Sequence, residues 1–146
     1  MVRELNPKEA HDAISKAKGA VLLDVRSAPE FASGHPAGAL NVPIMHKGMM
    51  GMQPNPDFLA VVSSVVPKDK TVFVSCMSGQ RSMRACMLME QNGWKDLTNV
   101  RAGWGGARDM SGAVIEPGWQ ASGLPVESGE PAGRAWEELR KKAQKP

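Results

Sequence analysis

A chain of 146 residues with a net charge of +3, 42% hydrophobic and 23% charged residues, has the size and balance of one globular domain, long enough to bury a core without disulfides or metals. Its cations are scattered apart from the terminal RKKAQK, so it lacks the basic stripe of a nucleic-acid binder, and no apolar run nears the ~20 residues that cross a bilayer. Two cysteines and an N-terminus with charges throughout fit free thiols in a cytoplasmic protein better than a bridge in a secreted one.

In chain order, the first predicted element is a helix over 7–18 (PKEAHDAISKAK). Pro7 suits a helix start, Ala10, Ile14 and Ala17 recur at helical spacing, and Gly19 stops it. AVLLDVR (20–26) is an apolar run closed by charges, the pattern of a strand buried on both faces of a parallel sheet. Ser27 can cap a brief helical turn, APEFASG, ended by Gly34, and GALNVP (38–43) reads as a second short strand. Residues 45–56, MHKGMMGMQPNP, hold Gly and Pro breakers besides four methionines and are expected to form a loop.

DFLAVVSSVV (57–66) places Phe58, Val61, Val62, Val65 and Val66 on one helical face, with Asp57 as a cap and Pro67 as a stop. TVFVS (71–75) is β-branched and short, a buried strand. Gln80 to Asn92 is predicted helical, with Ala85, Cys86 and Met89 on one side, Gln80, Arg84 and Gln91 on the other, and Gly93 at its end. LTNV (97–100) is a fourth strand, and 103–133 is Gly- and Pro-rich and irregular. RAWEELRKKAQ closes the chain as a helix with Trp136, Leu139 and Ala143 on its apolar face. Strands alternating with helices imply an α/β fold with a largely parallel sheet. One domain is expected over 1–130, with 131–146 as a C-terminal helical extension.

Cys76 ends the strand over 71–75, at the carboxyl edge where open α/β sheets collect ligands. Met77, Ser78, Gly79 and Gln80 then form a short loop that opens directly into a helix. Gly79 can take a positive φ, so the loop can wrap its amides around a sulfur or an anion with the helix's positive end behind them. Arg81 and Arg84 add cationic charge, and such surroundings favour a thiolate. The spacing narrows the chemistry. Cysteine phosphatases place five residues between Cys and Arg, whereas four lie between Cys76 and Arg81, and Ser82 stands where a phosphatase arginine is needed. The smaller loop suits a smaller guest, such as a sulfur atom carried on the cysteine.

Four separated stretches together resemble the single-domain rhodanese family of thiosulfate-type sulfurtransferases. LLDVRSAPEFASGHPAGALNVP (22–43) resembles its opening signature, through Asp24, Arg26, Glu30, Phe31, Gly34, His35, Gly38, Ala39, Asn41 and Pro43. VFVSCMSGQRS (72–82) is similar to its active loop, NVRAGWGGA (99–107) to its glycine-rich segment and GWQASGLPVE (118–127) to its ending. The resemblance implies a rhodanese-like α/β fold, with a central, mostly parallel sheet of about four to five short strands flanked by helices on both faces. It implies that Cys76 takes a sulfane sulfur from thiosulfate or a similar anionic donor as a persulfide and passes it to cyanide, a thiol or a protein acceptor. The amides from Met77 through Ser78, Gly79, Gln80 and Arg81 to Ser82 would stabilise the sulfur anion, and Arg81 would orient the donor. No metal or organic cofactor is implied. Asp24, Arg26, Glu30 and His35 would be mainly structural.

Two readings from other classes stand beside this one: a non-enzymatic persulfide carrier or regulatory module, and a thiol redox sensor in which Cys76 forms a sulfenate or pairs with Cys86. Cys86 reads as a packed helix residue too far from Cys76 to bridge without movement. The methionines of 45–56 suit adaptable apolar contact better than Cu(I). Pro36 and the long 107–117 segment depart from the family pattern.

Overall fold

The computed structural model describes residues 2–144; Met1 and the last two residues of the expected extension lie outside the described residues. Five strands, β1 (Arg3–Leu5), β2 (Val21–Asp24), β4 (Leu40–Asn41), β7 (Val72–Ser75) and β8 (Leu97–Val100), form one sheet in the order β1-β8-β7-β2-β4. All four pairings are parallel. Interleaved with them are helices α1 (Pro7–Lys16), α2 (Ala28–Ser33), α3 (Phe58–Val65), α4 (Gln80–Gln91) and α5 (Trp136–Gln144).

The side-chain period of two along a strand sorts the apolar residues onto two faces. Leu23, Val72, Val74 and Leu97 join Val61 and Val62 of α3, Ala85, Cys86 and Met89 of α4, and Trp136 and Leu139 of α5 in one core. Leu22, Phe73 and Val100 face the other way, onto Ala10 of α1, Phe31 of α2 and Trp119. Helices therefore cover both faces, as a parallel sheet requires.

Local signals explain the ends of the helices. Asn6 Oδ1 accepts the Glu9 N–H at 2.8 Å while Glu9 Oε1 accepts the Asn6 N–H at 3.0 Å, a reciprocal cap for α1. Ala17 is extended, ending the helix before the expected Lys18. Ser27 heads α2 through Glu30 Oε1, which accepts its backbone N–H at 3.1 Å and its hydroxyl at 2.8 Å. Asp57 makes no side-chain cap for α3; Asn55 Oδ1 accepts the Asp57 N–H instead, at 2.9 Å.

The structure corrects three expectations. Arg3–Leu5, unassigned from sequence, is an edge strand held by β8. The expected loop over 45–56 is a hairpin of β5 (Met45–Gly48) and β6 (Gly51–Pro54), with Met49 and Met50 fully exposed at its tip. Its breakers sit at the turn and the strand end, where they cost no ladder bonds. The irregular 103–133 segment holds a second hairpin, β9 (Ala107–Arg108) with β10 (Val114–Glu116), and a strand β11 (Val126–Glu127) that pairs with β3 (His35–Pro36). Pro36, which departs from the family pattern, thus lies in a two-residue ladder.

The C-terminal helix packs into the first core, and polar contacts tie down its approach. Glu127 Oε1 accepts from His35 Nε2 at 3.1 Å and from the Gly38 N–H at 3.0 Å, and its carboxylate pairs with Arg134. The Arg134 carbonyl in turn accepts the Asn41 N–H at 2.8 Å.

Candidate active site

The chain leaves β2 towards the β4 edge through α2 on one face, and leaves β7 towards β8 through α4 on the other. Beyond the carboxyl ends of β2 and β7 this divergence opens a crevice, the usual ligand position in open α/β sheets. Residues 25–27 after β2, 76–79 after β7 and 101–106 after β8 meet there.

Cys76 is the first residue past β7 and only 1% exposed. Its Sγ accepts the Gly79 N–H at 3.1 Å, and the Ser82 hydroxyl lies 3.4 Å away. Gly79 makes this possible with φ of 101°, a left-handed conformation in the residue that opens α4. Ser82, fully buried, has one hydroxyl proton and two neighbours. Its contact with Asn99 Oδ1, at 2.5 Å, is the shorter. Asn99 Nδ2 donates to Glu4 Oε2 at 3.0 Å and to the Gly79 carbonyl at 3.2 Å, which turns Oδ1 into the acceptor for Ser82. A neutral Cys76 can then donate its S–H to the Ser82 oxygen. A thiolate can draw the hydroxyl proton round to itself.

Arg81 is engaged by Glu30. Its Nη1 and Nη2 donate to Glu30 Oε1 and Oε2 at 2.8 and 3.1 Å, a two-point pair that joins α4 to α2. Burial works against charge on Glu30, but the hydrogen bonds from Arg81 and Ser27 outweigh it and hold the carboxyl down at about 2. Arg84, one turn on, lines a different cleft, with Ile44, Met45 and Phe58. Met77, Ser78 and Gln80 line an open cleft of about 490 Å³ whose far wall runs from Gly105 to Arg108.

The 101–106 segment clasps the loop from the side. Trp104 and Gly105 donate their N–H groups to the Cys76 and Met77 carbonyls, both at 2.8 Å. The approach is so close that a Cβ on Gly103 would sit 2.2 Å from the Cys76 carbonyl oxygen, and φ there is +47°. On the same side Arg26, paired with buried Asp24 at 2.8 Å, donates to the Gly34 carbonyl at 2.6 Å and lies 5.0 Å over the Trp104 ring.

With this geometry in view, comparison with known proteins is decisive: residues 6–108 match the family described as "Rhodanese-like domain". The chain belongs to the rhodanese-like domain family. It is 40% identical over 119 residues, 82% of its length and 88% of the relative's, to "Thiosulfate sulfurtransferase 16, chloroplastic" of Arabidopsis thaliana. It is 36% identical to "Protein HIGH ARSENIC CONTENT 1, mitochondrial" of the same plant, over 80% of this chain and 75% of that one. Among solved structures it is similar to Rv0390 from M. tuberculosis, with a TM-score of 0.74 and 30% identity over 88% of this chain and 98% of that one.

Within this rhodanese-like domain, the loop singled out from sequence, residues 76–82, is braced by residues that the sequence did not single out. Glu30, expected to be mainly structural, braces the loop through its pair with Arg81. Asn99 and Glu4 were missed as parts of the sulfur's hydrogen-bond network. The signal for Asn99 was a polar residue near the carboxyl end of a buried strand, where the register sets it beside Val74; Glu4, exposed on the edge strand, carried none. Cys86 is fully buried inside α4, and burial, helped by the negative charges of Cys76 and Glu4, pushes its thiol up to about 12. Both cysteines are free thiols.

Proposed function

We propose that this rhodanese-like protein is a sulfurtransferase that carries sulfur on Cys76. The observation that supports it best is the sulfur's setting, with Sγ held by the Gly79 N–H at the opening of α4 and the Ser82 hydroxyl beside it. In the first step the Cys76 thiolate attacks the outer sulfur of thiosulfate. A new S–S bond forms, the bond to the sulfonate sulfur breaks, and its electron pair departs with sulfite. In the second step cyanide attacks the outer sulfur of the persulfide and leaves as thiocyanate, and the electron pair of the S–S bond returns to Cys76 as thiolate. A thiol or a protein thiolate can replace cyanide as acceptor. The N-terminal end of α4 stabilises negative charge on the outer sulfur in the intermediate. No proton, metal or redox partner is consumed in either step.

The test is intact mass of the reduced protein before and after thiosulfate, beside Cys76→Ala, followed by a cyanide chase with thiocyanate detection. The expected result is a gain of one sulfur atom that requires Cys76 and is discharged by cyanide. No gain removes thiosulfate as the donor. A gain that cyanide does not discharge favours a persulfide carrier over an enzyme.

A further inference from the structure

We infer that the cleft beside Ser78 and Gln80 is the subsite for the sulfonate end of the donor, and that Arg108, not Arg81, supplies its positive charge. The inference rests on the sulfur-transfer reading above. A dianion such as thiosulfate needs a cation close to the sulfur, and the loop's own arginine is spent: both terminal nitrogens of Arg81 are bonded to Glu30, so the pair presents no net charge. Arg84 opens into a separate, largely apolar cleft.

Three clefts border the loop and its partner Glu30, and their walls decide between them. One contains Glu30 beside Arg26, whose charge is already matched by Asp24. A second sets Glu30 against Lys47 under Met52. The first meets the active loop only at Met77 and the second at none of its residues, so neither sets a guest beside Ser78 and Gln80. The third, with Met77, Ser78 and Gln80 on one wall and Gly105 to Arg108 on the other, has no acidic residue, and Arg108 is its one charged group. Ser78 and Gln80 flank Gly79, whose N–H holds the Cys76 sulfur, so this cleft borders the loop that carries the sulfur.

Arg108 is also available. Among the described residues it makes no ion pair, and Nη1 donates to the Gly112 carbonyl at 2.8 Å, leaving its other donors for a ligand. The hairpin that carries it is held in place. Arg101 donates to Glu116 at 2.8 and 3.1 Å, and Asp109 Oδ1 accepts from the N–H groups of Ser111 and Ala113 and from the Ser111 hydroxyl. At its base Gly118 passes so close to the 104–106 backbone that a Cβ would meet the Trp104 oxygen at 2.3 Å. The 107–117 segment thus presents a fixed, unneutralised guanidinium across the cleft from the active loop.

The experiment measures persulfide formation on Cys76 against thiosulfate concentration for the full chain and for Arg108→Gln, Arg108→Lys and Arg84→Gln. Losing one charge-assisted contact should raise the half-saturating thiosulfate concentration about tenfold in Arg108→Gln. Arg108→Lys should recover part of it, Arg84→Gln should match the parent, and discharge by neutral 2-mercaptoethanol should be unchanged in all. Unaltered thiosulfate dependence in Arg108→Gln, or an equal loss in Arg84→Gln, overturns the inference. A second readout does not need sulfur transfer. In Cys76→Ala, the methyl-13C signal of Met77, identified by its loss in Met77→Leu, is followed during titration with thiosulfate. A saturable shift that disappears on adding Arg108→Gln supports the subsite even if no persulfide ever forms. Absence of any shift overturns it even if transfer is seen.

Discussion

Cys76 and Cys86 belong to the same loop-and-helix unit and to the same apolar core, and neither is more than 1% exposed. Their surroundings differ in one respect. At the start of α4 a backbone N–H and a hydroxyl lie within hydrogen-bonding reach of sulfur; within α4 every backbone donor near Cys86 is committed to the helix. Burial without donors raises the Cys86 thiol to about 12 and silences it. The lesson is that burial alone does not distinguish these two cysteines; the polar groups directed at their sulfurs do.

The largest effect should come from removing each thiol in turn. Cys76→Ala is expected to lower sulfur transfer by about a thousandfold or more, whereas Cys86→Ala should leave turnover within about twofold. Thiocyanate formation checks both. Equal losses would sink the contrast.

Next comes the clasp that Cys76 has and Cys86 lacks. Gly103→Ala drives a methyl into the Cys76 carbonyl at a positive φ, which should cost about 3 kcal/mol. The melting temperature should fall by about 10 °C, against about 3 °C for the small cavity left by Cys86→Ala.

Ser82→Ala tests the polar groups themselves. It leaves Asn99 Oδ1 without its donor and should cost about 1–2 kcal/mol of stability. Persulfide formation should slow about tenfold, read by stopped-time mass measurement. A variant with parental rates would show that the Gly79 N–H suffices.

The smallest effect is acid-dependent. Glu30 sits at about 2 in the fold against an ordinary 4.5, so its pairing with Arg81 contributes stability above pH 4.5 that is lost as the pH falls through 2. Urea midpoints for the parent and Glu30→Gln should therefore differ at pH 6 and converge towards pH 2. A gap that stays constant over this range would mean that the carboxylate's charge contributes nothing to holding the loop.

Much of the fold was legible because its signals are local. The buried runs of β2 and β7 and the apolar faces of α3 and α4 mark themselves by period, and their alternation implies a parallel sheet. β1 was not legible because three half-polar residues become a strand only when β8 offers a ladder. The hairpin over 45–54 was hidden by its own Gly and Pro residues, which read as loop until paired.

The sequence by itself determined the position of the candidate site: a short strand, a cysteine, a glycine able to take a positive φ and a helix start follow one another within a few residues, so chain connectivity alone brings them together. Only the tertiary structure decided how the site is charged and braced. Arg81 meets Glu30 from α2, Ser82 meets Asn99 from β8, and Arg108 arrives on a hairpin, each across a long loop of chain. Local propensities carry no information about such distant partners. These contacts form because the packed sheet sets the ends of β2, β7 and β8 side by side and leaves their polar side chains to satisfy one another.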